Sequence, residues 1–148
     1  MEKNNIEIIE MSDNDLLVLK DSLTNEFDDF WTYNILKQEF DNDNTTYIVA
    51  KEDDNIVGFA GILVILDEAN IMNIVTKKDK RKLGIGSLLL EKLIDISKSR
   101  NLASITLEVN EKNIPAINLY KKYNFQQVGV RKKYYDNTDT AILMTLYL

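Results

Sequence analysis

Apolar residues along this chain recur with two periods, and switches between them mark out its elements. Ile6 to Glu10 alternates and predicts a first strand. Ser12 or Asp13 then caps a helix with apolar positions Leu16, Leu17, Leu19 and Leu23. Phe27, Phe30 and Trp31 form an aromatic connection, and Thr32 caps a second helix through Ile35, Leu36 and Phe40. After the polar turn Asp41-Asn42-Asp43-Asn44, Thr45 to Lys51 and Asn55 to Leu66 read as paired strands around Glu52-Asp53-Asp54-Asn55. Gly58 and Gly61 inside the second of these indicate close backbone approach or a bulge.

Asp67-Glu68-Ala69-Asn70 reads as a turn into a strand from Ile71 to Thr76. A basic turn follows, and then a helix whose buried stripe holds Leu89, Leu90, Leu93, Ile94 and Ile96, with Asn101 as its left-handed stop. Ala103 to Val109 is a strand close behind that helix, so the two strands around it should run parallel through a right-handed crossover. Asn113 caps the next helix with Pro115 in its first turn, and the helix ends near Tyr123-Asn124. Gln126 to Lys132 and Thr140 to Leu148 close the chain as an antiparallel pair around Asp136-Asn137-Thr138-Asp139. The order β-α-α-β-β-β-α-β-α-β-β predicts an α/β fold with a mixed sheet and helices on both faces. A ligand belongs where the carboxyl ends of the parallel strands part.

With 148 residues and no internal repeat or linker, the expectation is one domain spanning 1–148. No apolar run approaches the roughly 18 residues that cross a bilayer, and the first residues lack a signal-peptide apolar region. A cytoplasmic protein without a membrane partner is expected. The chain has no cysteine and no histidine, which removes thiolate nucleophiles, the commonest general base and the usual zinc ligands. No metal is expected, and proton transfer falls to a carboxylate, tyrosine, lysine or water. The net charge of −6 argues against direct nucleic-acid binding and leaves room for a basic peptide or an amine.

Against that acidic background, five of the six residues from Lys77 to Lys82 are basic. They lead into Arg81-Lys82-Leu83-Gly84-Ile85-Gly86-Ser87, where two glycines open a helix. Unpaired N–H groups and the helix dipole at such a start favour an anion, here a phosphate-bearing ligand. The Walker pattern Gly-x-x-x-x-Gly-Lys-Ser/Thr is absent. The dinucleotide fingerprint fails because Leu89 stands where a third glycine belongs. An ordinary turn with a solvated lysine cluster remains open on these residues alone.

Arg81, Gly84 and Gly86 fit the pattern Gln/Arg-x-x-Gly-x-Gly/Ala of the GNAT N-acetyltransferases. The segment Leu107-Glu108-Val109-Asn110-Glu111-Lys112-Asn113 through Ala116-Ile117-Asn118-Leu119-Tyr120 extends the likeness. So do Leu66-Asp67-Glu68-Ala69, Asn73-Ile74, Asn124-Phe125 and Arg131 with Tyr134-Tyr135. The chain resembles this family over nearly its whole length, and within it the RimI-type enzymes that acetylate the N-terminal alanine of a small-subunit ribosomal protein. The resemblance implies the GNAT fold: a seven-stranded, mostly antiparallel sheet with a central splayed parallel pair and four helices. It implies acetyl-CoA as co-substrate, Glu108 as general base and Tyr120 as general acid. The backbone of Ile74, Val75 and Thr76 would pair with the pantetheine arm. Arg81 and the backbone of Lys82, Leu83, Gly84, Ile85, Gly86 and Ser87 would hold the pyrophosphate, and Asn113 would touch the cofactor. The partner would be a protein N-terminus or a small amine such as a polyamine or antibiotic, and the enzyme a monomer or weak dimer. A non-catalytic acyl-CoA-binding module is the reading from another class. The family's acidic pair in the last loop is replaced here by Asp139-Thr140.

Glu108 alternates with Ile105 and Leu107 and so projects from the opposite face, as a base or as a salt-bridged rim residue. An α-amine with pKa about 7.7–8.0 asks less of a carboxylate than a lysine at about 10.4, a gap of roughly 3.4 kcal/mol. Tyr120 lies seven residues after Asn113, on the same helical face about 10 Å along the axis, as a proton donor to the departing thiolate or a core tyrosine. The expected mechanism is direct attack of the amine on the thioester in a ternary complex, with the Val75 N–H polarising the carbonyl; the absence of cysteine excludes a cysteinyl acyl-enzyme. Lys80, Arg81 and Lys82 add exposed, salt-sensitive attraction or simply face solvent. Tyr134, Tyr135, Asp67 and Glu68 frame a peptide entrance or serve hairpin packing.

Overall fold

A computed structural model describes residues 5–27, 32–135 and 139–148. Phe30, Trp31 and the turn at Asp136, Asn137 and Thr138 lie outside the described residues, as do the side chains of Tyr134 and Tyr135. Seven strands pair in the order β1-β2-β3-β4-β5-β7-β6, with β1 Ile6–Glu10, β2 Thr45–Glu52, β3 Asn55–Ile65, β4 Glu68–Thr76, β5 Ser104–Asn110, β6 Gln126–Tyr135 and β7 Asp139–Tyr147. The helices are α1 Asp13–Glu26, α2 Tyr33–Asp41, α3 Ile85–Ser99 and α4 Ile114–Lys122. This is the expected mixed sheet: β1–β2, β2–β3, β5–β7 and β6–β7 pair antiparallel, and β4 runs parallel to β5.

The chain divides into two compact units. The first comprises Met1–Leu63 and Met72–Asp95. Its α1 starts as expected at Ser12, whose hydroxyl accepts from Asp15 N–H while the Asp15 carboxylate accepts from Ser12 N–H. Two orphan amides are satisfied reciprocally, which fixes where the helix begins. Leu16, Leu19 and Leu23 are buried with Phe27, Leu36, Tyr47, Val49, Phe59 and Val75. Leu17, read as part of that stripe, is exposed instead, because the 3.6-residue period turns it away from the row of Leu16, Leu19 and Leu23. β2 and β3 join through Asp53 and Asp54, both in the left-handed region at φ 50° and 69°, as a two-residue hairpin turn requires. Ala50 faces Gly58 but Lys51 faces Ile56, so the ladder skips Val57.

The second unit comprises Val64–Ile71 and Ile96–Leu148. Glu68, Ala69 and Asn70 pair in parallel with Ser104, Ile105 and Thr106. These three residues were expected to form a turn. The reversal is made earlier, with Leu66 at φ 57°, so β4 resumes at Glu68 and Ala69 is fully buried. The Asp67 carbonyl accepts from Ala103 N–H at 2.7 Å, seating the start of β5. The alternation in β5 is as read: Ile105, Leu107 and Val109 are buried and Glu108 is exposed. β5 pairs with β7 from Ser104↔Tyr147 to Asn110↔Ala141, and β6 pairs with the other edge of β7. β6 reaches Tyr135 and β7 begins at Asp139, so both strands run further into the closing hairpin than the alternation indicated.

Candidate active site

In the first unit, the strand end, the basic turn and the start of α3 are consecutive in the chain. β4 ends at Thr76, Lys78–Lys80 form one turn of 3-10 helix, and α3 opens at Ile85. The Lys77 N–H donates to the Val57 carbonyl at 2.8 Å, where the β2–β3 ladder skips a residue. Gly58 beside it admits the packing of three elements. A Cβ there would stand 3.0 Å from the Val75 carbonyl oxygen, 3.1 Å from Ile85 Cγ2 and 3.2 Å from Leu89 Cδ1. The close approach expected at Gly58 is therefore to β4 and α3, the two elements that carry the predicted cofactor backbone.

Lys82 and Gly84 both lie in the left-handed region, at φ 67° and 84°. The glycine takes this at little cost, whereas a lysine there stores on the order of 1 kcal/mol. The sequence reading singled out the glycine for the approach of an anion and not for its φ, and nothing about a lysine signals positive φ. Leu88 N–H bonds the Gly84 carbonyl at 3.1 Å as the first rung of α3. The N–H groups of Ile85, Gly86 and Ser87 precede that rung and have no helical acceptor behind them. Unpaired donors of this kind, together with the helix dipole, favour a negative charge. Arg81, Lys82, Leu83 and Gly84 are exposed around this helix start, and Ile85 is buried as its anchor.

The lysines divide. Lys77 is paired with Glu26 at 2.9 Å and Lys80 with Glu52 at 2.8 Å. The Glu52 hydrogen bond holds the Lys80 ammonium above the ordinary lysine range. Lys80 thus begins as an ion-paired side chain rather than a simple solvated one.

Next to this strand end, Asn73 is buried and its Nδ2 donates to the Tyr47 hydroxyl at 3.2 Å. Its Oδ1 has no hydrogen-bond partner among the described residues. Turning the amide over would leave its other end unpaired, so one orphan remains either way. Burial pushes the Tyr47 hydroxyl well above the usual tyrosine range, and the Asn73 bond offsets only part of that.

The second unit holds Glu108, Asn113 and Tyr120. The Glu108 Oε1 accepts from Arg131 Nη2 at 2.6 Å, an ion pair between β5 and β6 with β7 lying between them. Glu108 is thus salt-bridged, to a residue that the sequence reading gave only as part of the family likeness. Asn113 caps α4, its Oδ1 accepting from Ala116 N–H at 3.3 Å, which leaves its amide donors outward. Tyr120 is buried with Ile117, and its ring lies 5.6 Å from that of Phe125 at a tilt of 58°. Asp139 is held by Asn110 Nδ2 at 3.0 Å and by Lys112 Nζ at 2.8 Å. These bonds, the Asn110 one first, keep its carboxyl below the usual range.

Residues 14–125 match the Acetyltransferase (GNAT) family. The chain is 36% identical over 124 residues to the ribosomal protein bS18-alanine N-acetyltransferase of Haemophilus influenzae, covering 80% of this chain and 82% of that one. It is 36% identical over 115 residues to the protein of the same name from Salmonella typhimurium, covering 74% and 78%. The crystal structure of the ribosomal-protein-S18-alanine N-acetyltransferase from Escherichia coli superposes with a TM-score of 0.87 at 29% identity, over 96% of this chain and 93% of that one. The chain belongs to the acetyltransferase (GNAT) family and is an acetyl-CoA-dependent N-acetyltransferase.

Proposed function

We propose that the acceptor is the N-terminal α-amine of a protein, with the alanine end of a ribosomal protein of the bS18 kind as the first candidate. The observation that supports this most is the named acceptor of relatives alike over about four-fifths of both chains. The chemistry agrees. A carboxylate base suits an α-amine, which is neutral in part near pH 7, better than it suits a lysine.

In this reading the first unit binds the donor. The backbone of Ile74, Val75 and Thr76 pairs with the pantetheine arm of acetyl-CoA, and the Val75 N–H polarises the thioester carbonyl. The N–H groups of Ile85, Gly86 and Ser87, shaped by Lys82, Leu83 and Gly84, hold the pyrophosphate. Lys80 and Arg81 add attraction that salt screens. The second unit moves the protons. Glu108 takes one from the amine through water as the nitrogen attacks the thioester carbon. Tyr120 hands one to the sulfur as the C–S bond breaks, and Asn113 uses its amide donors on the coenzyme. The chain has no cysteine, so no cysteinyl acyl-enzyme intervenes.

The test is acetyl-CoA turnover against a panel of N-terminal peptides, Ala-first peptides among them, and of polyamines and aminoglycosides. Turnover of Ala-first peptides with little of the small amines is expected. Turnover of small amines alone overturns the acceptor, and coenzyme binding without any turnover overturns the enzyme roles of Glu108 and Tyr120.

A further inference from the structure

We propose that Arg131 is a positioning residue for the acetyl transfer: it holds Glu108 by one carboxylate oxygen so that the other is presented to the proton. The inference rests on the reading of Glu108 as the base.

Glu108 stands on β5 opposite Leu143 of β7, and Leu143 in turn stands opposite Gly129 of β6. Arg131, two residues further along β6, stands opposite Ala141. Neighbouring strands lie about 4.8 Å apart, so Glu108 and Arg131 are separated by roughly 10 Å of sheet. Their side chains close that gap along a diagonal. Leu143 fills the near side of that diagonal beside Gly129, while Ala141, opposite Arg131, carries only a methyl group. The bond made is short and charge-assisted, 2.6 Å between Arg131 Nη2 and Glu108 Oε1.

Stability does not account for such a pair. The Glu108 side chain is 32% exposed and that of Arg131 54%, and pairs exposed to this degree contribute about 0–1 kcal/mol. What the pair does fix is geometry. An unrestrained glutamate samples several rotamers and offers either oxygen. With Oε1 engaged, the proton leaving the amine nitrogen has Oε2 as its destination, directly or through one water. The amine N–H bond breaks as the N–C bond forms, and the proton on Oε2 passes to solvent after product leaves.

The test is a double-mutant cycle on steady-state rates, using Glu108→Gln, Arg131→Ala and the pair together, with an acceptor peptide identified by the panel above. Arg131→Ala should lower kcat about 10- to 100-fold, the range that misplacing a general base produces. The KM for acetyl-CoA and the thermal midpoint should stay close to wild type. Arg131→Lys, and millimolar guanidinium added to Arg131→Ala, should each restore part of the rate. In the Glu108→Gln background, Arg131→Ala should cost nothing further. Full multiplicative losses in the double variant, or no loss in Arg131→Ala alone, overturn the proposal. An unchanged rate in Glu108→Gln alone overturns instead the reading of Glu108 as base.

Discussion

The ring of Tyr47 lies flat against the backbone of Gly61, its direct partner across the β2–β3 ladder, so closely that a Cβ on Gly61 would overlap the ring. Tyr47 is buried and its hydroxyl is held by Asn73 on β4, so the ring has little freedom to retreat. Gly61→Ala should therefore destabilise the protein by about 1–3 kcal/mol through overpacking. Gly129→Ala is the control, because its Cβ would meet only Leu143 Cδ1 at 3.4 Å, an ordinary contact. Urea denaturation of the two variants should separate them clearly.

The same hydroxyl supports a second prediction. Tyr47→Phe removes the hydroxyl that accepts from the buried Asn73 amide and leaves both ends of that amide unpaired among the described residues. A loss of about 1–3 kcal/mol is expected, the usual cost of an orphaned buried group. Replacing both polar partners, as in Tyr47→Phe with Asn73→Leu, should recover much of that loss. A double variant less stable than Tyr47→Phe alone would contradict this account.

The Ser12–Asp15 capping box predicts a pH dependence. Burial raises the Asp15 pKa, but the Lys51 ammonium at 2.8 Å and the bonds to Ser12 more than offset it, so the carboxyl sits below its ordinary 3.8. A depressed folded pKa means the unfolded chain binds the proton more readily. The stabilisation is therefore complete above the unfolded pKa and is lost as pH falls from near 3.8 through the lower folded value. Asp15→Asn should be less stable than wild type at pH 6, and the gap should narrow toward pH 2. Denaturation midpoints across that range would show it.

How far the sequence could be read depended on whether a residue type announces its conformation. Asn101 at φ 60° was legible as a left-handed position because Asn favours it. Leu66 at 57° and Lys82 at 67° were not, and the hidden turn at Leu66 is why β4 starts earlier than expected. The exposure of Glu108 followed from simple alternation. Its ion pair did not, because Arg131 is 23 residues away in sequence and meets it only through the strand order β5-β7-β6. Local periods give faces of elements; long-range partners wait on topology.

Gly58 gives a prediction about the donor side. Its Cβ would press on the Val75 carbonyl, Ile85 and Leu89 at 3.0–3.2 Å, tighter than comfortable contact on all three sides. Gly58→Ala should shift β4 against the start of α3, the two stretches proposed to hold acetyl-CoA. Coenzyme affinity should fall about 10-fold, equivalent to about 1.4 kcal/mol. Calorimetry with coenzyme A would measure it, and unaltered affinity in a folded variant would remove β4 and α3 from the binding account.

Tyr120→Phe is the sharpest probe of the acid. The Tyr120 ring is buried and tilts against Phe125, a contact that such aromatic pairs make worth about 0.5–1.5 kcal/mol. Phenylalanine keeps that contact and removes one oxygen, and with it the proton source for the sulfur. The thiolate of coenzyme A, with a pKa near that of cysteine at about 8.5, is a poorer leaving group unprotonated, and removing a general acid typically costs 10²–10⁴-fold. A kcat reduced within that range with unchanged coenzyme affinity is the expected result. An acetyl donor whose thiol is more acidic should recover part of the rate in the variant and change wild type less. If Tyr120→Phe and wild type turn over equally with acetyl-CoA, the hydroxyl is a passenger in the core and water protonates the sulfur.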